Sequence, residues 1–475
     1  MPMLKRSLFL FVCGLVGALA CWHDSQATTQ KRRPPNVLFL FSDDQRADTI
    51  HALGNPHIQT PTLDRLVAEG TTFTRAYCMG AQQGAVCVPS RAMLMSGQTL
   101  FRISEKLAGT TTWPQVFASA GYATYGVGKW HNQPTSFVNS FAAGKAVFFG
   151  GMSDPYKMPL QDLQATHQLS AKYTSGTHAT TLFADAAVDF LRQQRGQTPF
   201  ALYVAFTLPH DPREAPKEYR ALYDPAKLPL PSNFLPQHPF NNGELTVRDE
   251  KLAPWPRTPQ IVREHLADYY ACITFLDAQL GRILTALKES GQYDNTIIVF
   301  ASDHGLAIGS HGLFGKQNLY EHSMRAPLIL AGPGIAQGRQ SDAFCYLLDL
   351  FPTLCDLTGV ATPSSVEGLS LAPVLAGKQK TRRAAIFTAY RNVQRAVRDN
   401  RWKLIVYPQI NQTQLFDLQT DPGEMRDLAA DPKYARQRAR LTALLKQQQQ
   451  ALGDQQPLRV AQPLPAAFDF SQVKP

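Results

Sequence analysis

Residues 36–46 read NVLFLFSDDQR, and this stretch decides the fold class of the chain. The run from Val37 to Phe41 is apolar without interruption, as expected for a strand buried on both faces of a sheet. Asp43 and Asp44 follow that run after a single serine. Sheets covered on both faces are mostly parallel and bind ligands at the carboxyl ends of their strands. The stretch therefore predicts an α/β fold with a polar site where this strand ends.

The chain that follows alternates strand and helix patterns, which extends the α/β prediction. Residues 209–259 are rich in proline and are interpreted as a long surface excursion that helps to shape a pocket. We therefore expect a large, mostly parallel sheet sandwiched by helices. Strands are predicted within TTFTRAYC (71–78), YATYGVGKWH (122–131), PFALYVAFTLPHDP (199–212) and NTIIVFASDHG (295–305), and helices within residues 60–70, 178–194 and 264–291.

Near residue 380 the alternation of strand and helix patterns gives way to consecutive strand patterns. Three segments predict a small antiparallel sheet: RAAIFTAY (383–390), RAVRDNRWKLIVYP (395–408) and TQLFDLQTDPGE (413–424). Residues 432–453 form an amphipathic pattern typical of a terminal helix. The sequence therefore predicts a catalytic domain over residues 36–378 and a smaller C-terminal subdomain over residues 379–475.

The composition narrows the class of partner. The chain has 475 residues, 44% of them hydrophobic, and a formal net charge of +10. Excess Lys and Arg attracts anions, so nucleic acid, an anionic membrane and a polyanionic sugar are all compatible with the charge. No helix-turn-helix, zinc-finger or RNA-binding pattern occurs, so we predict no nucleic-acid partner. A generally basic surface without a dedicated partner is the alternative.

The first twenty residues have the pattern of a signal peptide. Lys5 and Arg6 precede an apolar stretch that ends at Ala18-Leu19-Ala20, a small-residue cleavage pattern. The sequence therefore predicts export to the periplasm or the extracellular space, with residues 21–35 as a linker. Cys21 would then begin the mature chain as a candidate lipid-bearing residue, the only predicted membrane attachment. A bacterial lipobox usually has leucine three residues before the cysteine, and here that residue is Ala18.

Two pairs of potential metal ligands that follow predicted strands indicate a metal site. Asp43 and Asp44 end one strand, and Asp303 and His304 end another that lies far away in the sequence. Adjacent buried acids repel one another unless a cation neutralises them. Three carboxylates favour a hard divalent cation, Ca²⁺ or Mg²⁺, over zinc. The alternative for Asp43 alone is that it caps the following helix.

Other polar residues stay ambiguous when they are considered singly. Lys129 and His131 alternate along an extended segment and would face the same side, where one could bind an anion and the other move a proton. A solvated lysine and a packed histidine explain the same pattern. His210 and Lys316 are equally ambiguous.

Cys87 stands beside Pro-Ser-Arg, an unusual position for a structural thiol. Core packing, a disulfide, metal binding and nucleophilic catalysis are all open for it. The seven cysteines match no zinc pattern and no dense disulfide scaffold. Cys345 and Cys355 lie in a segment that we interpret as one helix, where a ten-residue separation spans about 15 Å, too far for a disulfide.

Six landmarks in order resemble the type I sulfatases of the alkaline phosphatase superfamily. The opening strand with its acidic pair is one, and CVPSR (87–91), followed by Leu94 and Gly97, resembles the family signature. GKWH, PHDP, SDHG and HGLFGK…YEHSMRAPLI follow, and two C-terminal segments extend the resemblance over most of residues 36–430. His304, where many members have Asn, resembles the iduronate-2-sulfatase-like and choline-sulfatase-like branches. The resemblance implies an alkaline phosphatase-like fold.

The resemblance also implies a mechanism. A maturing enzyme would oxidise Cys87 to formylglycine, an aldehyde whose hydrate carries two hydroxyl groups. One hydroxyl attacks sulfur and displaces the alcohol, and the other collapses the sulfated intermediate to aldehyde and sulfate. The implied roles are Ca²⁺ or Mg²⁺ binding by Asp43, Asp44, Asp303, His304 and the Cys87-derived residue, support of the hydrate by Arg91, sulfate binding by Lys129 and Lys316, proton acceptance by His131 and proton donation by His210.

Substrate contacts are harder to predict from one sequence. Arg46 follows the acidic pair and could contact a substrate carboxylate, with a solvated arginine as the alternative. His322 and Arg325 are further candidates, together with His57 and Arg102. The leading prediction is an exported sulfuric ester hydrolase that acts on a sulfated saccharide, such as a glycosaminoglycan or another polysaccharide fragment. The alternatives are a phosphomonoester or phosphonate-ester hydrolase of the same superfamily and a catalytically silent protein that binds sulfated glycans.

Overall fold

Strand β1 (Asn36–Ser42) lies at the centre of a nine-stranded sheet in the computed structural model, which describes residues 33–472. The further strands are β2 (Gly70–Phe73), β3 (Ala76–Tyr77), β4 (Gly80–Ala81), β5 (Ala123–Lys129), β6 (Ala143–Phe148), β7 (Gln161–Leu163), β8 (Phe200–Ala205), β9 (Thr296–Ser302), β10 (Arg325–Ala326), β11 (Leu328–Ala331), β12 (Arg339–Ser341), β13 (Cys345–Tyr346), β14 (Ile386–Tyr390), β15 (Gln394–Arg398), β16 (Trp402–Tyr407) and β17 (Gln412–Asp417).

The helices lie between these strands and after them. They are α1 (Pro61–Glu69), α2 (Cys87–Ser96), α3 (Trp113–Ser119), α4 (Pro134–Ser140), α5 (Ala179–Gln193), α6 (Lys217–Arg220), α7 (Pro259–Glu289), α8 (Glu321–Met324), α9 (Leu350–Thr358), α10 (Ala372–Leu375) and α11 (Ala435–Leu452). None of them, within residues 33–472, is long and apolar enough to cross a membrane.

The large sheet has the strand order β12-β2-β11-β9-β1-β8-β5-β6-β7. Strands β9, β1, β8, β5 and β6 run parallel, whereas β11 pairs antiparallel with β2 and β9, and β7 pairs antiparallel with β6. The predicted mostly parallel α/β sheet is therefore confirmed for the centre, and the antiparallel pairs lie towards the edges.

Side chains of β1 alternate between two cores, one on each face of the sheet. Phe39 and Phe41 pack in a core that includes Trp113 of α3, while Leu38 and Leu40 pack in a core with apolar residues of α1, α5 and α7. Every residue of β1 is buried. An uninterrupted apolar run is required here because helices cover both faces, which confirms the predicted sandwich.

Two predictions about local structure are wrong. The segment 71–78 forms two strands in different sheets, because β2 joins the large sheet and β3 pairs with β10 and β13. The segment around Cys345 is not one helix, because Cys345 lies in β13 and α9 begins only at Leu350. The Asp349 carboxylate accepts the backbone N–H of Tyr346 at 2.8 Å and thereby stabilises the turn between them. Cys345 and Cys355 are both free, as are the other three cysteines of the described chain.

The C-terminal sheet has the predicted antiparallel strands with one addition. Its order is β17-β16-β15-β14-β4, and β4 comes from the segment just before Cys87. The described residues from Pro34 onward form one compact unit. The division at residues 378 and 379 stays a prediction. The predicted signal peptide (1–20) and most of the predicted linker (21–35) lie outside the described residues.

Buried charges join the C-terminal sheet to α8. Glu321 accepts hydrogen bonds from Arg398 at 2.6 Å, from Lys403 at 3.0 Å and from the Tyr77 hydroxyl at 2.6 Å. Lys403 also forms an ion pair with Glu424 at 2.7 Å. All of these side chains are buried, so each charge depends on its partners rather than on water.

We predict that Glu321→Ala destabilises the protein strongly. The substitution leaves Arg398 and Tyr77 without their carboxylate acceptor in a dry environment, and breaking such a buried pair costs about 3–5 kcal/mol. The free energy of unfolding should be measured by urea denaturation. The matched control is Glu289→Ala, at the exposed end of α7. An equal, small effect of both substitutions would contradict the structural role of the cluster.

Candidate active site

The candidate active site lies where β1 and β9 end. Ser42 and Ser302 are paired in register, so Asp43 and Asp303 follow at the same edge of the sheet. Carboxylate oxygens of Asp43, Asp44 and Asp303 lie within 4.8 Å of one another. The Asp44 backbone adopts the left-handed conformation, with φ of 65°, and its N–H donates to Asp303 Oδ1 at 3.0 Å. The structure thus brings together the two pairs of potential metal ligands that the sequence separates.

The donor set of this cluster fits a hard divalent cation. Asp43 Oδ1, Asp303 Oδ2 and His304 Nε2 are shielded from solvent and have no hydrogen-bond partner among the described residues. His304 Nδ1 can donate to the carbonyl of Gly305 at 2.9 Å, which leaves Nε2 as the ligand nitrogen. Orphaned carboxylate oxygens cost free energy when buried, and a cation would complete their coordination. The residues present therefore suit Ca²⁺ or Mg²⁺.

Three positive side chains surround the carboxylates. The Lys129 ammonium pairs with Asp43, and the Lys316 ammonium lies 2.8 Å from both carboxylate oxygens of Asp44. Arg91 Nη2 lies 3.3 Å from Asp303 Oδ2 and 3.7 Å from Asp43 Oδ1. All three cations are buried. The site thus concentrates both signs of charge where water is nearly absent.

The pKa values reflect this crowding. Burial opposes protonation of His304, but Asp303 and Asp44 outweigh burial and raise its pKa to about 9. Burial disfavours the charged form of Asp44, but Lys316, His210 and His304 together outweigh burial and hold the pKa of that carboxyl below its usual value. The carboxyl of Asp44 is therefore ionised near pH 7, and a cation bound here would displace the proton that the neighbouring carboxylates favour on His304.

Cys87 is the first residue of α2 and faces the acidic cluster. The helix extends from Cys87 to Ser96. Cys87 Sγ lies 3.2 Å from His131 Nδ1, and its ligand atom is within 4.8 Å of those of Asp303 and His304. Burial would raise the pKa of the Cys87 thiol, but Lys129, a hydrogen bond with His304 and Lys316 together outweigh burial and lower it. Cys87 is thus neither half of a disulfide nor an ordinary core residue.

Two histidines adjoin the cluster, His131 through Cys87 and His210 through Asp44. Burial and the positive charge of Lys129 lower the pKa of His131 to about 2, so its ring is neutral at ordinary pH. His210 Nε2 lies 3.8 Å from Asp44 Oδ2, and His210 Nδ1 contacts the Asp211 carbonyl at 2.6 Å. The structure therefore gathers every predicted catalytic and metal-binding residue into one site.

The predicted substrate-binding residues Arg46 and His322 are hydrogen-bonded to other protein groups. Arg46 is bonded through its guanidinium to Asp48 and to the carbonyls of Leu306 and Ala307. His322 is buried, and its Nε2 contacts His311 Nδ1 at 3.2 Å. Arg325 is partly exposed in β10. Their substrate-binding role stays a prediction, and the internal contacts of Arg46 and His322 favour a structural role for both.

Asp249, which was not predicted from the sequence as a site residue, forms an ion pair with Lys316. Asp249, from the proline-rich excursion, lies 3.8 Å from the Lys316 ammonium and accepts a hydrogen bond from Gln317 at 2.9 Å. Arg248 bridges Asp249 to Asp211, the neighbour of His210. An ion-pair chain therefore links Lys316 to the His210 loop. The only sequence signal for the role of Asp249 is the run of charged residues RDEK (248–251) in the excursion.

Comparisons with known proteins identify the family. A sulfatase family model matches residues 35–360, and a model of the C-terminal part of N-sulphoglucosamine sulphohydrolase matches residues 309–451. An N-acetylglucosamine-6-O-sulfatase of Bacteroides thetaiotaomicron is 28% identical, with 93% of this chain and 90% of the relative covered. A choline-sulfatase of Rhizobium meliloti is 30% identical, with 86% and 85% covered.

A solved structure shows the same fold. It is described as a complex with its substrate D-glucosamine-2-N,6-O-disulfate and matches with a TM-score of 0.75 at 25% identity, covering 90% of this chain and 99% of that chain. The chain belongs to the sulfatase family, and it is a sulfuric ester hydrolase with an alkaline phosphatase-like fold. The predicted family, fold class and enzyme class are confirmed.

We predict that Asp249→Asn lowers catalytic efficiency without unfolding the protein. The substitution removes a charge that holds the Lys316 ammonium, and the loss of a charge-assisted contact costs roughly 1.5–3 kcal/mol, about a 10- to 100-fold fall in kcat/KM. Hydrolysis of an aryl sulfate provides the assay. Asp224→Asn, at an exposed cap in the same excursion, is the control. Equal rates for the two variants would remove Asp249 from the support of Lys316.

Proposed function

We propose that the protein removes sulfate from a sulfated saccharide by means of formylglycine formed from Cys87 and a bound calcium ion. The observation that carries the proposal is the convergence of Cys87, three carboxylates and three cationic side chains at one edge of the sheet. A calcium ion, when bound, would supply positive charge that orients the nucleophile and polarises the sulfate group. Mg²⁺ is the alternative cation.

Asp43, Asp44, Asp303 and His304 would hold the cation. Their carboxylates would then share charge with Lys129 and Lys316, whose ammonium groups each carry three N–H donors. These donors would bind the sulfate oxygens, where negative charge develops in the transition state. Arg91 donates from Nη1 to the Lys129 carbonyl at 3.0 Å, so it would hold both the lysine segment and the modified residue 87.

His131 and His210 would move protons. His131 is neutral and its Nδ1 lies 3.2 Å from the atom of residue 87 that the structure shows as sulfur, so it is placed to accept a proton from that residue. His210 lies beside Asp44, where it would donate a proton to the leaving oxygen of the sugar. His210 would thus act when the sugar leaves, and His131 when the second hydroxyl collapses the sulfated intermediate to aldehyde and sulfate.

A sulfated saccharide is the substrate class that the relatives favour. This chain is similar to an N-acetylglucosamine-6-O-sulfatase and to a structure described with a disulfated glucosamine. Its formal net charge of +10 would also attract a polyanionic sugar such as a glycosaminoglycan.

We also propose export to the periplasm or the extracellular space, supported by the N-terminal sequence pattern, and a partner enzyme that oxidises Cys87.

We predict that Cys87→Ala reduces kcat by roughly 10³-fold or more, because the nucleophile and its release step are both lost. Hydrolysis of an aryl sulfate and of glucosamine 6-sulfate should be measured on protein produced with a sulfatase-maturing enzyme. Mass spectrometry of the peptide that contains residue 87 should find the aldehyde in the wild type. Cys272→Ala, at a buried site in α7, is the control. An unmodified thiol in a fully active wild type would overturn the mechanism.

We predict that Ca²⁺ raises the thermal midpoint of metal-free protein, since a ligand that binds only the folded state stabilises it by mass action. Differential scanning calorimetry after chelation should show a concentration-dependent rise. Asp303→Asn should reduce that rise, because it removes a charged ligand. Asp356→Asn, at an exposed position of α9, should leave the rise unchanged. An identical rise in all three proteins would place the cation elsewhere.

A further inference from the structure

A cleft of about 450 Å³ lies beside the loop that carries His210. One wall is formed by residues 152–154, and another by residues 211–214, which directly follow His210. Gly151 packs against His131 so closely that a Cβ at residue 151 would lie 2.8 Å from His131 Nε2. The cleft walls thus include Met152 and Asp211, the chain neighbours of Gly151 and His210, so the cleft adjoins the two segments that carry or contact the candidate catalytic histidines.

Two arginines line this cleft. Arg248 is paired with carboxylates, whereas Arg213 forms no ion pair within the described residues. The carboxylate of Asp211 is bonded to Arg248 through both of its oxygens, and Asp268 is bonded to Arg220. No acidic oxygen lies within 4.0 Å of the Arg213 guanidinium anywhere in residues 33–472. Two more wall residues, Asp154 and Glu214, are exposed at the rim and remain solvated.

Two neutral side chains contact the Arg213 guanidinium. Its Nη1 donates to His265 Nδ1 at 3.3 Å, and its carbon lies 5.6 Å from the centre of the Tyr269 ring. Its Nε and Nη2 are shielded from solvent and have no acceptor among the described residues. A guanidinium nitrogen that is shielded from water and has no acceptor is costly, and an anionic group entering the cleft would offset that cost if the partly buried Arg213 side chain turned these donors towards it.

His265 supplies a second donor beside Arg213. Burial and the positive charge of Arg213 lower the pKa of His265 to about 4, so the ring is neutral near pH 7. Because Nδ1 accepts from Arg213, the ring proton is on Nε2. An arginine and a neutral imidazole that donate together suit a planar carboxylate or a sulfate.

We propose that Arg213 and His265 bind a second anionic group of the substrate, so that the preferred saccharide carries a carboxylate or another sulfate besides the sulfate ester that is cleaved. This inference rests on the proposed function, since it places the leaving saccharide in the cleft next to His210. It assigns the specificity for charge to residues that neither the acidic cluster nor the predicted substrate contacts include.

The test compares substrates that differ only in the second anion. Wild type and Arg213→Gln would be assayed on glucosamine 6-sulfate and its N-sulfated counterpart, on a sulfated uronate disaccharide and its carboxyl-reduced form, and on 4-nitrophenyl sulfate. We expect Arg213→Gln to lower kcat/KM about 10- to 100-fold for the doubly anionic member of at least one pair, the loss expected for one charged hydrogen-bond partner. The singly charged substrates should change less than about two-fold, a shift below 0.5 kcal/mol. A loss confined to the glucosamine pair would identify a sulfate as the second anion, and a loss confined to the uronate pair would identify a carboxylate.

Arg282→Gln, in an exposed ion pair with Asp185, is the control and should respond like the wild type. Equal losses on singly and doubly charged substrates, or no loss on either, would overturn the subsite. Calorimetry with Cys87→Ala and N-sulfated glucosamine tests the same subsite without turnover, and adding Arg213→Gln should weaken that binding about 10-fold. If the wild type cleaves no sulfate ester, the proposed function fails, and the calorimetry still decides the subsite.

Discussion

The repulsion among three buried carboxylates is the constraint on which the site depends. Asp43, Asp44 and Asp303 lie together because two parallel strands end in register, and burial denies them the solvation that water would give. Coulomb repulsion at such distances is large in a medium of low dielectric constant. Ion pairs with Lys129 and Lys316 neutralise part of this negative charge. Carboxylate oxygens of Asp43 and Asp303 still have no hydrogen-bond partner among the described residues.

The same constraint explains why distant segments converge. The lysine at the end of β5, the lysine after β9 and the arginine of α2 are each brought to the cluster by a different element, and each is buried there. None of these cations would be stable in that place without the carboxylates, and the carboxylates would not remain ionised without them. Fold and site are therefore coupled through charge as well as through the apolar core.

The proline-rich excursion shapes the outer part of the site. Asp249 and Arg248 connect it to Lys316 and to the loop of His210, while Arg213 lines the cleft beyond. The inner charges suit the sulfate group common to all substrates of this enzyme class. The outer residues surround the part of the substrate that varies, so specificity is expected to depend on them.

The sequence by itself determined the central strands, the residues at their ends and the likeness to sulfatases, because long apolar runs and short motifs are local signals. It did not predict that residues 71–78 divide between two sheets, that Cys345 lies in a strand, or that Asp249 supports Lys316. These features depend on partners far away in the chain: β2 pairs with β11, and Asp249 lies 67 positions before Lys316 (316 − 249). Only the tertiary structure, by packing the excursion against the sheet's edge, decided which polar side chains share the site and which, like Arg46, are bonded internally.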